Sequence, residues 1–428
     1  MKDQLSALRE PITIGIAGIG SIGRGMLRQA QLTPGIRCLA IADCDVDRAV
    51  ASAERFQLEY RKVDTLVELE EAVHQGKLAV CADGDLVARC ELVDVFIEAT
   101  SSVAAGGRYG ITALEHNKHL VMMNYEADLM FGSWLMQLAR GKGLVYTVCD
   151  GDQPSVLRRL ADEMGFMGFD LVMAGNIKGF LDRYANPTSI VPEADKRDLD
   201  YFMCTSYTDG TKLSVEMAVL ANGLGLRTAT PGMRGPRMAD VYEVFNHFDF
   251  DALWDGKTGL VDYILGAKPA GGVFAIGYND DPYQKETLAW LPPRMGPGPF
   301  YLFYRPYHLC HFETMATVAE AALNRRPVLQ PRHGFRTNVY SYAKKDLRAG
   351  EKLDGIGGYA CYGMIENCGN SGEQPGLPIC LSEGVTLKRE IHKDGRILLE
   401  DVTYDPQDYS FSLFQKSVAA ARGASVSR

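Results

Sequence analysis

Residues 12–43 constrain this chain more than any other stretch. They open with the apolar alternation Ile12, Ile14, Ile16, Ala17 and pass through Gly18-Ile19-Gly20-Ser21-Ile22-Gly23. A helix is then expected over 22–32, followed by a second strand over 37–42 that closes on Asp43. The three glycines serve different physical ends. Gly18 permits a tight turn, Gly20 lets the backbone approach a pyrophosphate, and Gly23 lets helix and strand pack closely. The N–H groups of the first helical turn, those of Ser21 and Ile22 among them, then face phosphate oxygens at the positive end of the helix dipole. A carboxylate at Asp43 is placed to accept hydrogen bonds from the adenosine ribose hydroxyls. A glycine triplet alone would be a weak signal. Between an apolar strand and an acid-terminated strand it predicts a dinucleotide-binding βαβ unit, with NAD favoured over NADP because a carboxylate repels a 2′-phosphate; Arg48 keeps NADP in play.

A chain of 428 residues leads one to expect two or three domains, and its 46% hydrophobic content is ample for packed cores. The formal charge of -9 argues against nucleic acid or an anionic membrane as the main partner. No apolar run approaches the roughly 20 residues needed to span a bilayer. The charged start MKDQLSALREP lacks a signal-peptide core, so a cytoplasmic location is expected. Ten cysteines without CxxC spacing read as reduced, packed thiols; Cys149, beside Asp150, is the one to weigh as a nucleophile, with a core position preferred.

Strand and helix alternate up to residue 154. Helices are expected over 47–56, 65–75, 85–90, 103–117 and 127–140, and strands over 78–82, 93–98, 119–123 and 144–148. Ligands of a doubly wound sheet lie at the carboxyl ends of its strands. Glu98, Thr100 and Ser101 are therefore expected near the nicotinamide ribose, with Asn124 also at the cofactor, and Glu126, Asp150 and Asp152 at the substrate. Alternation then fades. A helix over 156–164 leaves the first domain, a strand starts at 170, and the charged run 193–200 reads as a solvated helix face. Asp209-Gly210 open a helix bearing Lys212 and Glu216, four apart on one face, where an ordinary surface ion pair would be worth only a few tenths of a kcal/mol. Residues 223–306 are rich in Gly and Pro, but Phe274, Ile276, Phe300, Leu302 and Phe303 intervene, which suits a substrate-covering domain or an oligomer arm. A helix over 307–324 carries His308, His311 and Glu313; the histidine spacing can serve a metal but more often marks packed residues. From 338 onward short strands and turns are expected, with a hairpin turning at Lys393-Asp394-Gly395 and a helical or frayed tail after 405.

The segments Glu98-Ala99-Thr100, Gly175-Asn176-Ile177-Lys178-Gly179-Phe180 and Asp209-Gly210 through Ala221 resemble the homoserine dehydrogenase-like oxidoreductases. Residues 343–353 look like the opening of an SAF domain, a small β-clip module. Together these parts resemble the oxidoreductases that include the second type of 1-deoxy-D-xylulose 5-phosphate reductoisomerase, the reductoisomerase-like enzymes. The resemblance implies an α/β protein with an N-terminal Rossmann domain over 1–155, completed by the helix around 307–324. An α+β central catalytic and oligomerisation domain over 156–306, a small C-terminal β-rich SAF domain over 336–404 and a tail over 405–428 would follow. Two features depart from homoserine dehydrogenases. Asn124-Tyr125-Glu126 stands where they carry a lysine, and Lys212 and Glu216 reverse the charges of their aspartate–lysine pair, so homoserine oxidation itself is not expected.

The chemistry implied is hydride transfer to or from a small polar hydroxy or keto compound, a sugar phosphate with coupled isomerisation included. Lys212 and Lys178 are the candidates to manage the substrate oxygen's proton, with Glu216 tuning Lys212 and Asp209 at the head of the same motif. Lys178, Arg183, Arg305 and Lys212 would meet a substrate anion. Glu126, Asp150, Asp152 and Glu216 offer the oxygens a divalent metal would need, as the reductoisomerase resemblance suggests. Two other classes share these features: a cofactor-binding sensor without turnover, and a lyase or epimerase that keeps NAD tightly bound. A homo-oligomer is expected from the apolar middle.

Overall fold

The computed structural model describes residues 1–197, 199–291, 295–369 and 374–424. One position of the charged run, residues 292–294 of the proline-rich loop, part of the glycine-rich stretch before 376 and the last four residues of the tail lie outside the described residues. The chain divides into two compact units.

The first unit comprises residues 1–152 and 309–330 with the helix Tyr409–Ala424. Its sheet has seven strands: β1 (Ile12–Ala17), β2 (Ile36–Ala42), β3 (Tyr60–Lys62), β4 (Leu78–Cys81), β5 (Val95–Glu98), β6 (His119–Met122) and β7 (Tyr146–Val148). They lie in the order β3-β4-β2-β1-β5-β6-β7, and all pairings are parallel. A parallel sheet covered on both faces needs strands apolar on both sides. Ile14, Ile16, Ile41, Val95, Ile97 and Val121 are accordingly buried, packed with Met26 and Leu27 of the helix Ser21–Leu32 and with Met315 and Val318 of the helix Cys310–Asn324. The short β3 was not legible in the alternation, because three residues paired on one side only carry almost no periodic signal. Local chemistry sets the helix starts: Thr65 and Glu68 form a reciprocal capping box at Leu66–His74, and Asn124 caps Tyr125–Gly141 by accepting from the Ala127 N–H at 3.0 Å. Residues 409–424 form a helix against Tyr125–Gly141, so the tail is built into this unit.

The second unit comprises residues 153–308 and 331–408. Its sheet contains β8 (Asp170–Lys178), β9 (Arg227–Thr228), β10 (Leu260–Leu265), β11 (Val273–Tyr278) and β12 (Phe300–Arg305), in the order β12-β11-β8-β10-β9. β8, β9 and β10 run parallel, and β11 and β12 antiparallel to their neighbours. The aromatic and aliphatic residues that interrupt the Gly/Pro-rich stretch are strand residues: Phe274, Ile276, Phe300 and Leu302 pack with Val172, Ile177 and Phe248 in one core. What composition marks as loop is thus sheet, because long-range pairing overrides local propensity. Two helices, Tyr201–Asp209 and Thr211–Leu224, meet at Gly210, whose φ of 88° ends one and starts the other; the first was not expected. Beyond them β13 (Thr337–Ala343) pairs antiparallel with β14 (Cys361–Asn367). Asn222 ties this β-rich segment to the second helix: its Oδ1 accepts from the Arg336 and Thr337 N–H groups at 2.9 Å, and its Nδ2 donates to the Thr337 carbonyl. The turn at 393–395 is present; next to it Ile391 and Arg396 bridge to Leu347 and Tyr342, and farther out the two arms pair antiparallel with each other, Thr386 and Leu387 against Thr403 and Val402. Among the described residues no helix is long and apolar enough to cross a membrane.

Candidate active site

In the first unit the loop after β1 has the sterics of a phosphate cradle. Gly18 has φ of +90°, and a Cβ there would lie 2.5 Å from the Ala99 carbonyl carbon, so both conformation and space exclude a side chain. At Gly23 a Cβ would lie 1.8 Å from the Gly18 oxygen, the close approach of helix and strand that the spacing implies. Gly20 differs: a Cβ would meet nothing within 4 Å, so its lack of a side chain leaves open surface at the start of the helix. Gly20 is the N-cap residue of Ser21–Leu32 and supplies no side-chain cap, which leaves the first-turn N–H groups directed outward.

Asp43 is nearly buried and anchored. Its Oδ2 accepts from the Ile19 N–H at 2.7 Å and its Oδ1 from the Asp45 N–H at 2.9 Å, which links the end of β2 to the glycine loop. The Arg48 guanidinium lies 3.6 Å from Asp43 and 3.4 Å from Asp45.

At the end of β5, Glu98 is fully buried and accepts from the Thr100 N–H at 3.0 Å. Burial pushes its carboxyl up to about 8, against the opposing Thr100 hydrogen bond, so it is mostly neutral at pH 7. The sequence places Glu98 with Thr100 and Ser101 near a nicotinamide ribose; its neutral state was not anticipated, because that state depends on the burial of an acid closing an otherwise apolar strand. Ser101 is exposed, and Asn124 donates to the Ser102 carbonyl at 3.0 Å while capping its helix. Glu126, Asp150 and Asp152 are also nearly buried near the ends of β6 and β7, with the Asp150 N–H donating to Thr317 Oγ1 at 2.7 Å. Burial raises the fully buried Cys149 thiol well above its usual range, the state of an inert core thiol. His311 packs its ring against Gly25 and Phe312.

The Glu98 carboxyl carries a stability prediction. Below its unfolded value near 4.5, both states hold the proton; between there and about 8 the folded state binds the extra proton, so stability falls as pH rises through this window. The loss is at most about 1.4 kcal/mol per pH unit. Urea denaturation across the window should show a shallower decline for Glu98→Gln than for the parent protein, and identical slopes would refute the buried neutral acid.

In the second unit, Asn176, Val273 and Arg305 stand in one row across β8, β11 and β12, with Tyr263 of β10 on the other side of Asn176. Lys178 and Arg305 therefore end their strands at the same edge of the sheet, and Arg305 stacks over Tyr307 at 4.5 Å. Asn176 Nδ2 donates to Gln153 Oε1, and His308 reaches the Gly271 carbonyl at 2.7 Å. Arg183 is exposed and lies over the Tyr362 ring at 5.4 Å.

Lys212 and Glu216 are 7% and 4% exposed, so they are not the solvated surface pair that their spacing alone suggests. Asp209 is held differently from a substrate-facing acid. Its Oδ1 accepts from the Thr211 N–H at 2.8 Å and its Oδ2 pairs with Lys344 Nζ at 2.9 Å, both side chains being buried. Burial raises the Asp209 carboxyl, and Lys344 opposes that rise. Thr211 Oγ1 accepts from the Gly363 N–H at 2.8 Å and Ser214 donates to the Gly363 carbonyl, so β14 fixes the start of the helix bearing Lys212. Lys344 and Thr211 were not anticipated. Their roles depend on partners far away in sequence, and no local pattern marks them.

Residues 151–314 match the family model described as oxidoreductase DRL, catalytic domain. None of the curated proteins matches the chain. Among solved structures the chain is similar to DOX-P reductoisomerase in complex with NADPH, fosmidomycin and magnesium, at 18% identity over 48% of this chain and 56% of that one, with a TM-score of 0.35. This chain thus spans little more than half the length of that reductoisomerase. It is also similar to a 3-ketoreductase from Actinomadura kijaniata in complex with NADP and TDP-benzene (15% identity, 74% and 90% of the two chains, TM-score 0.40). A third is the myo-inositol dehydrogenase from Lactobacillus casei in complex with NAD(H) and myo-inositol (17% identity, 62% and 72%, TM-score 0.37).

Proposed function

We propose that this protein is an NAD(P)-dependent oxidoreductase acting on a small polar hydroxy or keto compound, with a sugar phosphate undergoing coupled isomerisation as the finer reading. The observation that carries it is the glycine cradle, in which Gly18 and Gly23 are sterically obligatory while Gly20 leaves the helix N-terminus open. When bound, the nicotinamide supplies the hydride chemistry. Ser21, Ile22 and the glycines would receive the diphosphate; Asp43, held in place by the Ile19 N–H, would receive ribose hydroxyls; Thr100, Ser101 and Asn124 are the candidates for the nicotinamide half. Asp43 favours NAD, and Arg48 is the residue that would accommodate NADP.

Lys212 is assigned the proton on the substrate oxygen, with Glu216 tuning it and Lys178 as its partner in proton handling. Asp209 acts through the helix start as a positioning residue. Arg305 and Arg183 would meet a substrate anion. Glu126, Asp150 and Asp152 are each nearly buried and carry the carboxylate oxygens that a hard divalent cation takes, but among the described residues these three are not gathered at metal-ligand spacing as a set. Residues 336–404 are read as an SAF-like module, and a homo-oligomer in the cytoplasm is the setting proposed.

The test is nicotinamide absorbance change with NADH and NADPH against a panel of hydroxy and keto compounds. Lys212→Ala should lower turnover about a hundredfold with cofactor affinity unchanged. No affinity for either cofactor would overturn the reading, and unchanged turnover in the variant would remove the assignment of Lys212.

A further inference from the structure

At the opposite end of the first unit's sheet, where the strands begin, lies a pocket of about 730 Å³. Its walls include Ile12 at the start of β1, Val93 before β5, Lys118 and His119 at the start of β6, and Leu144 before β7. The volume falls in the range of small-molecule sites. Lys118, His119 and Arg325 make its inner corner a cluster of donors.

Lys118 is only 5% exposed, and among the described residues its ammonium has neither an ion pair nor a hydrogen bond; only its backbone N–H is engaged, with the Ala113 carbonyl. Burial pushes its pKa down, and the acids that act on it, Asp94, Glu91 and Glu70, do so through space. Asp94 has one oxygen, Oδ2, committed elsewhere, accepting from the Thr13 N–H and hydroxyl at 2.9 and 2.8 Å. A buried cation without a partner is unfavourable unless something else supplies the charge.

His119 is also 5% exposed. Its Nδ1 accepts from the Val145 N–H at 2.9 Å, and burial and the Arg325 charge hold the ring neutral, its pKa lowered to about 4. The ring proton is therefore on Nε2. The Arg325 guanidinium lies against that same Nε2, so two N–H donors face each other. Arg325 is held there by a left-handed backbone, φ 52°, just past the helix Cys310–Asn324.

We propose that this pocket is a second, non-catalytic binding site for a small oxyanion, a carboxylate or phosphate group on a compact molecule, received by Lys118 Nζ, His119 Nε2–H and the Arg325 guanidinium. One oxyanion accepts from all three donors, resolves the opposition of His119 and Arg325 and neutralises the buried ammonium. The exposed acids lining the pocket, Glu10, Glu91, Asp94 and Glu115, disfavour a polyphosphate or nucleic acid and leave a singly or doubly charged group as the match. The site lies at the far edge of the sheet from the glycine loop, so it does not depend on the function proposed above.

The test is site-resolved. The full-length protein is treated with a limiting amine-directed acylating reagent, and labelling of Lys118 is followed by peptide mass mapping with no anion, with inorganic phosphate and with succinate. Labelling of Lys118 is expected without anion and slowed about tenfold by a saturating one, while exposed lysines such as Lys2 and Lys285 react at unchanged rates. Protection by phosphate, by succinate or by both supports the site and identifies the source of the oxyanion. Arg325→Gln changes an exposed residue, should fold normally, and should lose the protection. Absence of Lys118 labelling without anion, equal labelling in all three conditions, or full protection in Arg325→Gln would overturn the proposal.

Discussion

Gly23→Ala should abolish nicotinamide-nucleotide binding and destabilise the first unit by about 3 kcal/mol, the upper end of ordinary overpacking. The added methyl would lie 1.8 Å from the Gly18 oxygen and 2.9 Å from its carbonyl carbon, both backbone atoms that no rotamer change can move aside. Relief requires the helix Ser21–Leu32 to withdraw from β1, which removes the first-turn N–H groups from the loop they serve. Gly20→Ala is the matched control. Its methyl meets nothing within 4 Å and its φ is -68°, so stability should hold while the methyl occupies the surface a diphosphate would approach. Calorimetric titration with NADH and NADPH, run beside urea denaturation, separates the outcomes: both should fail in Gly23→Ala, and only binding should weaken in Gly20→Ala. A Gly23→Ala protein with parental stability and affinity would refute the cradle.

The second large effect is expected at Lys344. Its amine pairs with Asp209 and also donates to the Ala185 and Gly358 carbonyls at 2.6 and 2.7 Å, so one buried cation joins three segments of the second unit. Lys344→Met should cost about 3–5 kcal/mol, because it strands the Asp209 carboxyl in a buried site. Adding Asp209→Leu should recover much of that loss, since removing both members of a buried pair is far milder than removing one. Chemical denaturation of both singles and the double mutant measures the coupling. An additive double mutant would show that the pair contributes nothing beyond its separate members.

The first unit was legible wherever an element is made by neighbours in sequence. Isoleucine alternation over β1, the three glycines, Thr65 with Glu68 and Asn124 ahead of its helix all act within one or two turns, and each leaves a residue-type signature. The second unit was read less well, because its sheet is assembled from short strands set among glycine- and proline-rich connections whose composition masks them. Gly272 illustrates the point. It sits in a run that reads as loop, yet a Cβ there would lie 2.4 Å from the Arg305 carbonyl, a close approach to the end of the neighbouring β12.

The candidate site divides in the same way. Gly18, Gly20, Gly23 and Asp43 could be named from spacing, since turn sterics and the alternating strand and helix dictate both their types and their order. Asp209 could be located but not understood, as its counter-ion is Lys344 and that contact exists only once the chain has folded back. The neutral state of Glu98 likewise comes from the walls that bury it, and the donor corner at Lys118, His119 and Arg325 from a helix that follows β6 by some two hundred residues. The sequence by itself determined the glycine loop and the alternating sheet around it, because steric and capping rules act over a few residues. Tertiary structure alone decided which acids are paired, which are neutral and where donors converge, because dielectric environment and long-range partners are properties of the packed molecule.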